Sequence, residues 1–194
     1  MTDSTAVRPS NWNVPNAITV VRILLTPVFI WLLLTADPDG AARWAAGVFF
    51  ILAIATDGID GWIARRWNLV TDLGKILDPI ADKGLTGSAL VCLAILGELP
   101  WWVVVLILVR EIGITIWRLF ELRLGRVVPA SRGGKLKTIA QSVAISLALL
   151  PLWTVFGDWM HWLNGVTMTI AVVLTVITGL DYLVQGRRTN RKEV

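Results

Sequence analysis

The sequence predicts an all-α integral membrane protein with six transmembrane helices and both termini on the cytoplasmic side. Three observations predict it. Of 194 residues, 55% are hydrophobic and only 16% charged, with a mean hydropathy of +0.67, whereas soluble domains carry about a quarter charged residues. Six apolar stretches approach the roughly 20 residues that a spanning helix needs. Lysine and arginine fall almost wholly on one set of connections, the side that positive charge marks as cytoplasmic.

The stretches run over 16–36, 42–66, 74–97, 100–122, 135–157 and 161–185. They form a six-helix domain over 13–186, preceded by a polar segment, 1–12, and followed by a basic tail, 187–194. Residues 1–12 lack the charged-then-apolar-then-small pattern of a cleaved signal, so the first stretch is expected to stay. The first break is Asp37-Pro38-Asp39-Gly40, the third lies around Glu98 and the fifth around Asp158; the second and fourth are basic and follow Arg65 and Leu122. Continuous rather than alternating apolar runs exclude a β-barrel. Eleven Trp against one Tyr suit interfacial belts, and His161, between Trp159 and Trp162, reads as part of one. Cys92 has no second cysteine to pair with and reads as a small buried or lipid-facing hydrophobe.

The side that holds both termini carries Arg8, Arg65, Arg66, the segment from Arg123 to Lys137, and Arg187, Arg188, Arg191 and Lys192. The opposite loops carry Asp37, Asp39, Glu98 and Asp158, with Arg43 alone as a base. The net charge of +4 is therefore a basic rim beside anionic headgroups, not a nucleic-acid footprint.

Carboxylates inside spanning helices are expensive and mark function by default. Asp57 and Asp60 stand late in the second stretch, and Asp78 and Asp82 early in the third. At 100° per residue, Asp57, Asp60, Gly61 and Ala64 fall on one stripe and Gly74, Asp78 and Asp82 on another. The short connection makes the two helices antiparallel neighbours, with all four acids on the order of 6–13 Å inside the cytoplasmic boundary. Four carboxylates at one level stay ionised only if cations hold them. An all-oxygen donor set suits Mg²⁺, Mn²⁺ or Ca²⁺, and two ions bridged by shared carboxylates is the economical arrangement. Gly61 and Gly74 leave room for a ligand, or for close helix packing. Arg65 is placed to meet an anion, or to snorkel to the interface. Asp82, the deepest acid on its helix, is the candidate base for an attacking hydroxyl. The residues thus point to phosphoryl-group transfer on a lipid at the cytoplasmic leaflet.

From Asp57 to Asp82 the spacing D-x-x-D-G-x-x-A-R-x8-G-x3-D-x3-D resembles the signature of the CDP-alcohol phosphotransferases. That resemblance implies their six-helix fold and two divalent cations, Mg²⁺ or Mn²⁺, held by Asp57, Asp60, Asp78 and Asp82. It implies that Asp82 acts as base on the acceptor alcohol, that Gly61, Ala64, Arg65 and Gly74 surround the CDP moiety, and that the protein is a homodimer. The opening of the first stretch, NVPNAITVVRILLTPVF, and the segment ASRGGKLKTIAQ before the fifth are similar to the bacterial phosphatidylglycerophosphate synthase branch rather than the inositol or serine branches. This implies CDP-diacylglycerol and glycerol 3-phosphate as substrates in a bacterial cell membrane, with the site facing the cytoplasm.

Asn16, Thr19 and Arg22 share one face of the first stretch and are expected to reach the CDP-lipid diphosphate, with helix capping as the other reading of Asn16 and Thr19. Arg110, mid-helix in the fourth stretch, is expected to be paired with an acid or to await a phosphate. Arg110, Arg118 and Lys135 are the candidates for the acceptor phosphate; Lys135 and Lys137 equally fit the positive-inside rule. Asp72 reads as a cap or surface charge, and Asp181 and Tyr182 as interfacial. Three other functions stay open. One is the same chemistry with phosphatidylglycerol or an inositol phosphate as acceptor. Another is divalent-cation transport, which wants polar residues continuing into the outer helix halves. The third is a metal-independent lipid-binding scaffold.

Overall fold

The computed structural model describes residues 13–67, 71–123 and 132–190, without the side chains of residues 60, 62–65, 72, 75, 132 and 183–190. The polar segment 1–12 and the end of the basic tail lie outside the described residues, as does most of the loop after Arg123. Among the described residues the chain is all helix and turn, with no strand. The helices are α1 (Val14–Thr35), α2 (Ala41–Arg66), α3 (Asp72–Ile95), α4 (Trp101–Arg123), α5 (Arg132–Leu149), α6 (Trp153–Phe156) and α7 (Trp159–Asn190).

Local chemistry sets the helix ends. Asn13 caps α1, its side chain accepting from Asn16 N at 2.9 Å, with Pro15 in the first turn, where a missing N–H costs nothing. Thr71 caps α3, its hydroxyl accepting from Gly74 N at 3.0 Å; the cap expected of Asp72 belongs to its neighbour. Gly97 closes α3 with φ +76°, and Glu98 N returns to Leu93 O at 2.9 Å, a left-handed end that favours glycine. The fifth predicted stretch, 135–157, is broken: Pro151 has no N–H and its ring forbids continuation. The helix therefore stops at Leu149, and the one-turn α6 ends at Gly157 with φ +91°.

Three of the helices, over Val14–Thr35, Ala41–Ile59 and Trp159–Tyr182, are long and apolar enough by themselves to cross a membrane. The apolar runs of α3, α4 and α5 are interrupted by charged residues: Asp78, Asp82 and Lys83 in α3, Arg110, Glu111 and Arg118 in α4, Lys135 and Lys137 in α5. The protein is a membrane protein.

The chain divides into two compact units, Met1–Ala89 and Leu90–Val194, the division falling within α3. In the first, α1 packs on α2. Phe29 stacks on Phe49 with centroids 5.8 Å apart and meets Phe50 at 6.1 Å, while Leu33, Ala46 and Ala53 complete the buried seam. Arg43, the lone base expected among the opposite loops, lies in the first turn of α2 and is buried. In the second unit α7 packs against α4, α5 and α6, burying Ile107, Ala144, Ile145, Met168 and Ala171. Cys92 is buried. His161 stacks on Trp153 at 4.8 Å, an aromatic packing role. In both units many large apolar side chains are exposed, among them Leu24, Trp31, Leu52, Val109, Ile116 and Ile177, as lipid-facing helices require.

Candidate active site

In the first unit one helix face holds the acids. Asn16, Thr19 and Arg22 recur every three residues on α1 and are all buried, at 5%, 1% and 4% exposure. Buried polar groups on a membrane helix need partners, and each of these finds one on a neighbouring helix or its cap. Asn16 Nδ2 donates to Thr71 Oγ1 at 2.8 Å. The Thr19 hydroxyl lies 2.8 Å from Asp78 Oδ1 and 3.1 Å from Pro15 O; its single proton goes to the nearer, charged acceptor. Arg22 Nη1 forms an ion pair with Asp57 Oδ1. Consecutive turns of α1 thus grip the cap of α3, Asp78 of α3 and Asp57 of α2.

Gly74 belongs to the same construction. A Cβ at this position would stand 2.6 Å from Asn16 Oδ1 and 3.3 Å from Thr71 Oγ1, so the missing side chain is where Asn16 sits. Four residues on, Asp78 is followed by Pro79 within the helix, which removes one backbone donor beside the carboxylate.

The Asp57 side chain is 38% exposed, and Asp78 is exposed, while Asp82 is partly exposed. The described contacts of Asp57 and Asp78 with α1 fall on Oδ1 of each. Such oxygen-only donors fit hard divalent cations. Among the described residues no three His, Cys, Asp or Glu side chains converge as a ready metal cluster; the side chains of Asp60, Ala64 and Arg65 lie outside the described residues. Gly61 is partly exposed.

The second unit carries a basic cluster. Arg110 Nη1 donates to Glu111 Oε1 and Nη2 to Thr178 Oγ1, each at 2.8 Å. Lys137, 1% exposed, pairs with the same Glu111 oxygen, and Arg118 Nη2 donates to the Tyr182 hydroxyl. The guanidinium carbons of Arg110 and Arg118 stand 5.8 and 5.1 Å from the Tyr182 ring centroid. Arg110 Nε and Gln141 Oε1 are buried and make no hydrogen bond among the described residues. Three cations thus share one carboxylate and one ring, an environment that suits an added anion.

Of the predicted acceptor residues, Arg110 and Arg118 lie in this cluster, Arg110 paired with an acid as one of its two readings had it. Lys135 is exposed, and Lys137, two positions on, supplies the buried ammonium. Tyr182 is 4% exposed and engages both arginines, contacts that its position at the end of the last apolar stretch did not announce. Thr71, Thr178 and Tyr182 were not among the predicted site residues. The available signal for the last two was their spacing, i and i+4, on the face of the last helix that Thr175 also shares.

The profile of the family described as CDP-alcohol phosphatidyltransferase matches residues 12–177. The chain is 48% identical over 177 residues to a probable phosphatidylglycerophosphate synthase of Mycobacterium tuberculosis (strain ATCC 25618 / H37Rv), covering 91% of this chain and 82% of that relative. It is 39% identical over 187 residues to the CDP-diacylglycerol–glycerol-3-phosphate 3-phosphatidyltransferase of Bacillus subtilis (strain 168), covering 88% and 93%. A protein of the same name from Shigella flexneri serotype 5b is 36% identical over 181 residues, covering 91% and 96%.

Proposed function

Because the chain belongs to the CDP-alcohol phosphatidyltransferase family, we propose that it transfers the phosphatidyl group of CDP-diacylglycerol to sn-glycerol 3-phosphate, giving phosphatidylglycerophosphate and CMP. The names and coverage of the relatives support this acceptor. The observation that carries the chemistry is that α1 draws Asp57 and Asp78, from two other helices, onto consecutive turns through Arg22 and Thr19.

Asp57, Asp60, Asp78 and Asp82 would hold two divalent cations, Mg²⁺ or Mn²⁺, which when bound would supply positive charge for the diphosphate and the departing CMP. Arg22 and Thr19 keep Asp57 and Asp78 oriented. Asp82 accepts the proton of the glycerol hydroxyl; that oxygen forms a bond to the lipid-side phosphorus as the bond from this phosphorus to the CMP oxygen breaks. Gly61, Ala64, Arg65 and Gly74 border the CDP moiety, with Asn16, Thr19 and Arg22 behind them. Arg110, Arg118 and Lys135 bind the acceptor phosphate, and Lys137 joins them. The six-span arrangement, cytoplasmic termini, a site facing the cytoplasm of a bacterial cell membrane, and a homodimer complete the reading; the distribution of Lys and Arg supports the orientation.

The test is CMP release by purified protein with CDP-diacylglycerol and a panel of acceptors. Glycerol 3-phosphate, with Mg²⁺ or Mn²⁺, is expected to be used far better than phosphatidylglycerol, inositol phosphate or water. Equal or better turnover with another acceptor overturns the assignment, and metal flux into proteoliposomes without CMP release would favour transport instead.

A further inference from the structure

We infer that Tyr182 is a positioning residue: with Thr178 and Gly179 it forms a platform on α7 that holds Arg110 and Arg118 of α4 side by side in the geometry that takes the acceptor phosphate. The inference rests on the acceptor-phosphate reading of those two arginines.

Two guanidinium groups converging in an apolar surround repel each other, and each loses hydration. Something must hold them together before a phosphate arrives. Glu111 takes one Arg110 donor and also carries Lys137. α7 adds contacts to both arginines. The Tyr182 ring lies 5.8 Å from the Arg110 guanidinium carbon and 5.1 Å from that of Arg118, within range for cation–π attraction, which is stronger when desolvated. Its hydroxyl accepts from Arg118 Nη2.

One turn earlier, Thr178 Oγ1 accepts from Arg110 Nη2 at 2.8 Å. The Thr178 proton goes to Leu174 O at 2.7 Å, so the hydroxyl lone pair faces the arginine. Gly179 lets the arginine stem lie flat: a Cβ there would stand 3.4 Å from Arg110 Cγ. Trp117 closes the far edge of the ring at 6.0 Å, edge-on, which limits its rotation. Arg110 Nε remains buried without a hydrogen bond among the described residues, a donor held ready for an anion. An interfacial tyrosine would keep its hydroxyl in water, whereas this one is 4% exposed.

The experiment is steady-state kinetics of the full-length protein in detergent, with each substrate varied separately, for Tyr182→Phe, Tyr182→Leu, Thr178→Val, Arg110→Ala and Arg118→Ala. Tyr182→Leu is expected to raise KM for glycerol 3-phosphate about tenfold, the size of a lost desolvated cation–π contact, leaving KM for CDP-diacylglycerol and kcat within about twofold. Tyr182→Phe keeps the ring and loses only the hydroxyl, so it should fall between wild type and Tyr182→Leu. Thr178→Val should act in the same direction; with Tyr182→Phe it decides the matter if the leucine variant does not fold. If Arg118→Ala raises KM for glycerol 3-phosphate but the Tyr182 and Thr178 variants do not, or raise both KM values equally, positioning by α7 is overturned while the acceptor reading stands. If neither arginine variant changes that KM, the acceptor reading fails and the inference with it.

Discussion

The two polar clusters are built on opposite plans. On α1, α2 and α3, the described contacts to the acids come from one face of one helix: Arg22 to Asp57, Thr19 to Asp78. Asp57 remains 38% exposed and Asp78 exposed despite these contacts. On α4, α5 and α7, bases outnumber acids, and the cations are tied into a shared network by Glu111, Thr178 and Tyr182. In the first the described partners of the acids are one arginine and one threonine; in the second the described cations share a carboxylate, a hydroxyl and a ring. The lesson is that one cluster is held by a single helix face, which orients separate carboxylates, whereas the other is a network in which cations share their partners.

The comparison breaks first at the acids. Asp82→Asn and Asp57→Ala are each expected to lower kcat by about 10³-fold, within the usual range for a lost base or metal ligand, measured as CMP release. Chelation with EDTA should abolish turnover in the wild type, and Mg²⁺ or Mn²⁺ should restore it. By contrast, chelation should leave binding of glycerol 3-phosphate to the second cluster intact, measured by isothermal titration. Loss of both together would mean that the clusters are not separable in this way.

The acid cluster was legible in the sequence for a physical reason. Carboxylates are rare in apolar helices, and their three- and four-residue spacing fixes which face they share. The face of Asn16, Thr19 and Arg22 was legible on the same ground. What that face touches was not, because contact between helices depends on their relative rotation, which no spacing within one helix encodes. Thus Arg22 was expected to reach for a diphosphate, and it is found on Asp57. Lys137 was weighed beside Lys135 and left out of the acceptor set, and Tyr182 was read as interfacial, because positive-inside and interfacial habits explain such residues equally well until their burial is seen. The break at Pro151 was readable from its chemistry, but the apolar run on either side masked it.

Arg22→Met tests how far orientation matters to the acids. Replacing the arginine removes the ion pair and leaves Asp57, 38% exposed, to water. A loss of about 2 kcal/mol in stability is expected, together with a fall in metal affinity, read by thermal unfolding with and without Mn²⁺. Arg22→Lys should recover charge but not geometry, and therefore stability more than activity. On the basic side, Lys137→Met should raise KM for glycerol 3-phosphate several-fold, about 1 kcal/mol, with a smaller rise for Lys135→Met because that side chain is exposed. The reverse order would return the ammonium role to Lys135.

The smallest effect is the most specific. Gly74→Ala adds one methyl group that would lie 2.6 Å from Asn16 Oδ1, a contact that forces the amide or the α3 cap to shift. Overpacking of this kind costs about 1–3 kcal/mol, and since the cap lies seven residues before Asp78, activity should fall with stability. If the clash with Asn16 is the whole reason for the glycine, Gly74→Ala in an Asn16→Ala background should cost clearly less than in the wild type, a coupling that a double-mutant cycle measures directly. If instead the glycine is needed because the CDP moiety approaches the helix there, the alanine will raise KM for CDP-diacylglycerol equally in both backgrounds. The cycle therefore separates a glycine that makes room for the protein from one that makes room for the substrate.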